Sequence, residues 1–164
     1  MNGRTLLYII GAAVLLTLTA CNKQTVYYHY EHTPVSGWEK NDTLTFLTAP
    51  IAVEGHYAED VGLRISGDYP FIALNLIVEQ TVLKTPTSKL KTQTSNLVDT
   101  LTCNLIDEMG NAKGNGISHY QYTFPLTTLS LAQGDRLRIT IRHDMKREIL
   151  PGITDIGIRL TKEK

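Results

Sequence analysis

Five histidines and a scatter of carboxylates are the side chains from which a catalytic or metal-binding reading would start. His29-Tyr30-Glu31-His32 has the look of a metal pair. In an extended strand, however, residues three apart point to opposite faces, so His29 and His32 share one metal only where the backbone bends. The H-E-x-x-H order of a helical zinc site is absent. His56 and His119 are scattered, and His143 falls in phase with Ile139 and Ile141, which predicts a partly buried packing role. The acidic residues Glu59, Asp60, Asp68, Asp99, Asp107, Glu108 and Asp155 are dispersed. Glycosidase chemistry needs two of them about 5–9.5 Å apart. Asp107-Glu108 with Asn111 and Asn115 departs from EF-hand spacing. The loop Gly110 to Gly116 lacks the G-K-[ST] ending of a phosphate cradle and reads as a hairpin connection. No G-x-S-x-G elbow occurs. These residues predict no catalytic centre, no metal and no cofactor.

Two arrays are better suited to binding than to reaction. Arg136, Arg138 and Arg142 alternate outward and, with Lys146 and Arg147, make a local basic edge on an otherwise neutral chain. Such a row fits an acidic partner or anionic lipid headgroups, or simply a solvated strand face whose charges protect an edge. Tyr28 and Tyr30, together with Tyr27 and Trp38, cluster near the start of the chain. They suit sugar rings or a protein interface, or the packing of a first strand.

The elements that position these arrays read as strands. No sustained 3.6-residue period follows residue 25, whereas period-2 runs recur between turn signals. The runs are Val26 to Glu31, Asp42 to Leu47, Ala58 to Ser66, Phe71 to Val82, Asn96 to Ile106, His119 to Phe124, Asp135 to His143 and Ile153 to Thr161. Ile72, Leu74, Leu76 and Val78 are expected to share one face. Gly67-Asp68-Tyr69-Pro70 reads as a turn, and the Thr/Lys-rich stretch Leu83 to Ser95 as a mobile loop. About eight short strands with one apolar face each predict an all-β fold. The expectation is an antiparallel β-sandwich, jelly-roll-like, with a closed barrel second.

The chain has 164 residues, 16 basic and 16 acidic, and that balance argues against a nucleic-acid partner. Arg4 is the one charged residue among the first 22, and it precedes a 15-residue apolar run from Leu6 to Ala20. This is a secretory signal pattern, short for a spanning helix, which wants about 20 residues. The run ends in Leu18-Thr19-Ala20-Cys21, which resembles the bacterial lipoprotein signal. That resemblance implies acyl chains such as palmitate on Cys21 and cleavage before it. Several chains together anchor a protein stably. The expected organisation is a signal over 1–20, a lipidated tether over 21–25 and one sandwich over 26–164. Cys103 is then left without a partner in the chain. Its phase with Leu101 and Leu105 predicts a buried, inert thiol.

Taken in order, several segments resemble the GldH family, gliding-motility lipoproteins of the Bacteroidetes group. They are the signal ending at Cys21, Val26-Tyr27-Tyr28-His29-Tyr30, Gly37-Trp38-Glu39-Lys40 and Asp42-Thr43-Leu44-Thr45-Phe46. Asp68-Tyr69-Pro70-Phe71 with Leu74 and Leu76, Asp99-Thr100-Leu101, Leu105, Asp107, Gly110, Gly114, Gly116 and Leu150-Pro151-Gly152-Ile153-Thr154-Asp155-Ile156-Gly157-Ile158-Arg159 continue the series. The resemblance implies a non-enzymatic lipoprotein of the cell envelope that works through motility or secretion proteins. It carries over no catalytic residue. Surface-exported lipoproteins of that group tend to be acidic after the lipidated cysteine. Asn22-Lys23-Gln24-Thr25 is not, which tilts the expectation to an outer-membrane protein facing the periplasm. A carbohydrate-binding sandwich built on Tyr28, Tyr30 and Trp38 is the alternative.

Overall fold

In the computed structural model, residues 24–84 and 95–163 are described. The signal expected over 1–20, Cys21 and most of the loop expected between Leu83 and Ser95 lie outside them. Each period-2 run becomes a strand: β1 (Gln24–His32), β3 (Leu44–Leu47), β4 (Gly55–Ser66), β5 (Ala73–Leu83), β6 (Ser95–Asn104), β8 (His119–Leu131), β9 (Arg136–His143) and β11 (Ile153–Lys162). Three two-residue strands, β2 (Trp38–Glu39), β7 (Asn115–Gly116) and β10 (Ile149–Leu150), lie between them.

Pairing nests these long strands from the outside in. The first pairs with the last (β1 with β11), then β3 with β9, β4 with β8, and β5 with β6, all antiparallel. Ladders β11–β4 and β9–β5 join the nested pairs into two sheets, ordered β1-β11-β4-β8-β7 and β3-β9-β5-β6. This is a long hairpin rolled up on itself, the double Greek key of a jelly roll. The expected antiparallel β-sandwich is observed, with no closed barrel.

Alternation along each strand builds the core between the sheets. Tyr57, Val61, Leu63 and Ile65 of β4 and Ile156, Ile158 and Leu160 of β11 face inward from one sheet. Leu74, Leu76 and Val78 of β5 and Leu137, Ile139 and Ile141 of β9 face them from the other. Ile72 departs from its expected place: β5 starts only at Ala73, and Ile72 sits in the preceding connection, 74% exposed. β8 runs past the Phe124 expected as its end. Beyond β7, which ends its pairing at Gln121, one side of β8 is a free edge, where Pro125 removes no ladder bond. A bulge at Leu126 accompanies it, where Pro125 and Thr127 pair with the consecutive residues Asp60 and Glu59.

Two devices hold the ends and the outer face. Trp38 of β2, paired through β10, plugs one end of the core and is fully buried. Its indole Nε1 donates to the Asp42 carbonyl at 3.1 Å, and its ring meets that of His143 edge-on at 5.3 Å. On the outer face, Tyr30 lies over the cross-strand pair Gly157 and Gly62. A Cβ at Gly157 would stand 2.7 Å from the Tyr30 ring. The Arg64 guanidinium covers that ring at 4.0 Å from its centroid. We expect Gly157→Ala to lift Tyr30 and cost about 1–3 kcal/mol, measured by urea unfolding; an unchanged midpoint would show that the glycine floor is dispensable.

Candidate functional site

The basic row lies on β9, which runs between β3 and β5. It therefore projects from the outer face of the four-stranded sheet and does not form a sheet edge. From Arg138 to Ile141 both sides of β9 are paired, so edge protection is no rationale for Arg138. Arg136 Nε donates to the Thr48 carbonyl at 3.1 Å, which ties it to the β3–β4 connection. Among the described residues, the guanidinium groups of Arg138 and Arg142 have no hydrogen-bond or ion-pair partner, unlike that of Arg159, which holds Asp60 at 2.9 Å. Arg138 stands beside Leu47 and Thr81, and Arg142 beside Ile77. They are two guanidinium groups free to meet an outside carboxylate or phosphate.

The aromatic array does not survive as a surface. Trp38, expected beside Tyr28 and Tyr30, is in the core, because the β2–β10 pair turns it inward. One face of the Tyr30 ring rests on Gly157 and Gly62 and the other carries Arg64, so no face remains for a sugar. Tyr28 alone is well exposed, at 54%, edge-on to Tyr30 at 5.5 Å. His29 and His32 do point apart. His29 contacts Glu31 at 3.0 Å and the Phe46 ring, and His32 lies against Asp155 on the other face. The Asp107 carboxylate accepts from the Met109 and Asn111 amides at 2.9 and 2.8 Å, and these bonds to its own turn hold its pKa below the ordinary value. Among the described residues, no three His, Cys, Asp or Glu side chains are placed to hold a metal.

Sequence reading passed over one buried group. Glu59 is in phase with Tyr57, Val61 and Leu63, and that phase was the available signal. It is 1% exposed, and among the described residues neither carboxylate oxygen has a hydrogen-bond partner. Gln80, equally buried, donates to Asp99 at 3.1 Å and leaves its own Oε1 unpaired. Burial first, then the charges of Asp99 and Asp60, push the Glu59 carboxyl up to about 8. His143 shifts the opposite way, lowered chiefly by burial. Its Nε2–H donates to the Trp38 carbonyl and its bare Nδ1 accepts from the Met145 amide, so the neutral ring satisfies both. Cys103 is fully buried, as its phase predicts, and burial pushes its thiol up to about 12.

A cleft of about 550 Å³ is lined, among the described residues, by Asn104, Lys113, Asn115, Gln121 and Tyr122, with no carboxylate or imidazole. Large apolar side chains are exposed at the end of the sandwich where β1 finishes. Val35, Ile72, Met109 and Ile117 stand in the connections there, each more than 70% exposed.

Two pH limbs follow. A carboxyl raised in the fold stabilises below its unfolded pKa and loses that contribution as pH rises through the folded value. We expect unfolding free energy to fall between about pH 5 and 8 because of Glu59. An imidazole lowered in the fold works from the other side, so stability also falls as pH drops below about 6.5 because of His143. Glu59→Gln should remove the fall between about pH 5 and 8 and leave the His143 dependence in place in denaturant titrations across pH; a retained fall would assign it to another group. Cys103 should resist thiol reagents in the native protein and react at once in urea, as absorbance of the released thiolate would report.

The fold comparisons are distant. An aminopeptidase from a marine sediment archaeon, Thaumarchaeota archaeon, shares 12% identity at TM-score 0.38, with 86% of this chain and 31% of that one covered. An α-amino acid ester hydrolase shares 11% at TM-score 0.37, with 86% and 31% covered. Eiger TNF from S. frugiperda shares 13% at TM-score 0.30, with 86% and 94% covered. The chain thus spans about a third of the two hydrolases, and at these TM-scores none of the three carries an argument about function. No curated protein matches the chain. Residues 25–160, nearly all of the sandwich, match the GldH lipoprotein family. On that match, the chain belongs to the GldH lipoprotein family, lipid-anchored proteins of the cell envelope related to gliding motility.

Proposed function

We propose that this lipoprotein is a non-enzymatic accessory of an envelope machine for motility or secretion, acting by protein interaction. Acyl chains on Cys21 hold it in the outer membrane, facing the periplasm. The observation that carries this reading is the family match over residues 25–160. The guanidinium groups of Arg138 and Arg142, which have no partner among the described residues, support it, because such arginines on a sheet face suit an acidic partner protein. The glycan alternative loses support with the burial of Trp38 and the covered faces of Tyr30.

Cross-linking of the tagged, full-length protein in intact cells tests the reading. Motility or secretion components should be recovered, and Arg138→Glu with Arg142→Glu should abolish that recovery while the protein stays folded. Recovery that survives the charge reversal would move the docking surface off β9. Recovery of no envelope protein, with retention on a cell-wall glycan column, would overturn the accessory role.

A further inference from the structure

β1 begins at Gln24, paired with Lys162 at the end of β11, and Lys162 pairs in turn with Tyr57 near the start of β4. The β3–β4 connection lies at this same end. It reads Thr48-Ala49-Pro50-Ile51-Ala52-Val53-Glu54, and from Thr43 to Val53 the chain carries no charge. Ala49, Pro50, Ala52 and Val53 are exposed, as is Val26 of β1 beside them. The loop is firmly held. Ile51 is buried, its amide donates to the Asp135 carbonyl and its carbonyl accepts from the Gly134 amide, both at 2.8 Å. The Tyr57 hydroxyl donates to the Val53 carbonyl. Between the loop and β1 is a cleft of about 230 Å³ lined by Gln24, Val26, Tyr27, Pro50 and Val53, with Lys162 also at the lining.

The occupant follows from where the chain leads. Two residues, Asn22 and Lys23, separate Cys21 from Gln24. Three extended residues reach at most about 10 Å, so a lipid on Cys21 brings the bilayer surface to this end of the sandwich. A firmly held loop that is uncharged and mainly aliphatic up to Val53, beside a lysine, is matched to the interfacial layer, where apolar side chains sit among the headgroups and a Lys stem extends toward phosphate. Glu54 and Glu163 at the same end limit the contact to that depth. We propose that the β3–β4 loop, with Val26, is a membrane foot: Ala49, Pro50, Ala52 and Val53 rest in the phospholipid interface and stand the sandwich with its strands along the bilayer normal. The inference rests on lipid attachment at Cys21. The lipid supplies the affinity, and the foot supplies the orientation, because contacts too weak to recruit a protein from solution are populated once a short tether holds them in place.

Fluorescence depth measurement on the full-length lipoprotein tests this. The protein is purified from cells and reconstituted in phosphatidylethanolamine–phosphatidylglycerol vesicles containing dibrominated acyl chains. Val53→Trp places an indole on the foot, and Met109→Trp places one at the opposite end, with the buried Trp38 as internal reference. The V53W indole should lose emission and shift to the blue, while the M109W indole should match its value in unbrominated vesicles. If V53W folds poorly, Ala52→Cys labelled with an environment-sensitive dye replaces it, since Cys103 is buried. Vesicle-bound protein with unquenched V53W overturns the foot, and so does equal quenching at both ends. Intact mass showing no acyl chains, with protein that does not float with vesicles, overturns the lipid attachment itself, and the foot with it.

Discussion

The ladder that β11 makes with β1 on one side and β4 on the other is what the rest of the molecule depends on. It joins the last strand to the first and third long strands, so the sheet closes only when distant parts of the chain have met. Pairing of that kind is slow to form, because loop closure precedes any reward from contact. The same ladder brings Gly157 opposite both Tyr30 and Gly62. Without it the outer face has no floor for Tyr30, and the inner face loses Ile156, Ile158 and Leu160 from the core.

Period-2 alternation made most of this architecture legible. The eight long strands, the burial of Cys103 and His143 and the opposite directions of His29 and His32 all follow from one rule about extended chain. What escaped it depends on contacts between distant residues. Trp38 is buried by a two-residue strand whose partner, Leu150, is far along the chain, and no local pattern announces that. β8 continues through Pro125 because of its position beside a free edge, and edge positions are a property of the sheet. Glu59 is a different case. Its phase with Tyr57 and Val61 pointed inward, but a carboxylate on an apolar face runs against its composition, and the dispersal of the acids drew attention away.

Glu59, Gln80 and Asp99 leave a polar weakness inside the mainly apolar interior of the sandwich. A buried acceptor with no donor is costly when charged, so the neutral carboxyl is the form compatible with the fold. His143 is also neutral in its site, with both ring nitrogens satisfied. Two ionisable groups are thus held in uncharged forms by the same burial, and their contributions to stability change in opposite directions with pH.

The sandwich has two unlike ends, and β4 spans the distance between them. Twelve residues of strand are about 40 Å long. With lipid at the Gln24 end, Val35, Ile72, Met109 and Ile117 are carried to roughly that height above the bilayer. The domain is in this sense a spacer of fixed length, stiffened by its two sheets. Lengthening or shortening the strands would change the altitude at which those side chains are offered, without altering any contact they make.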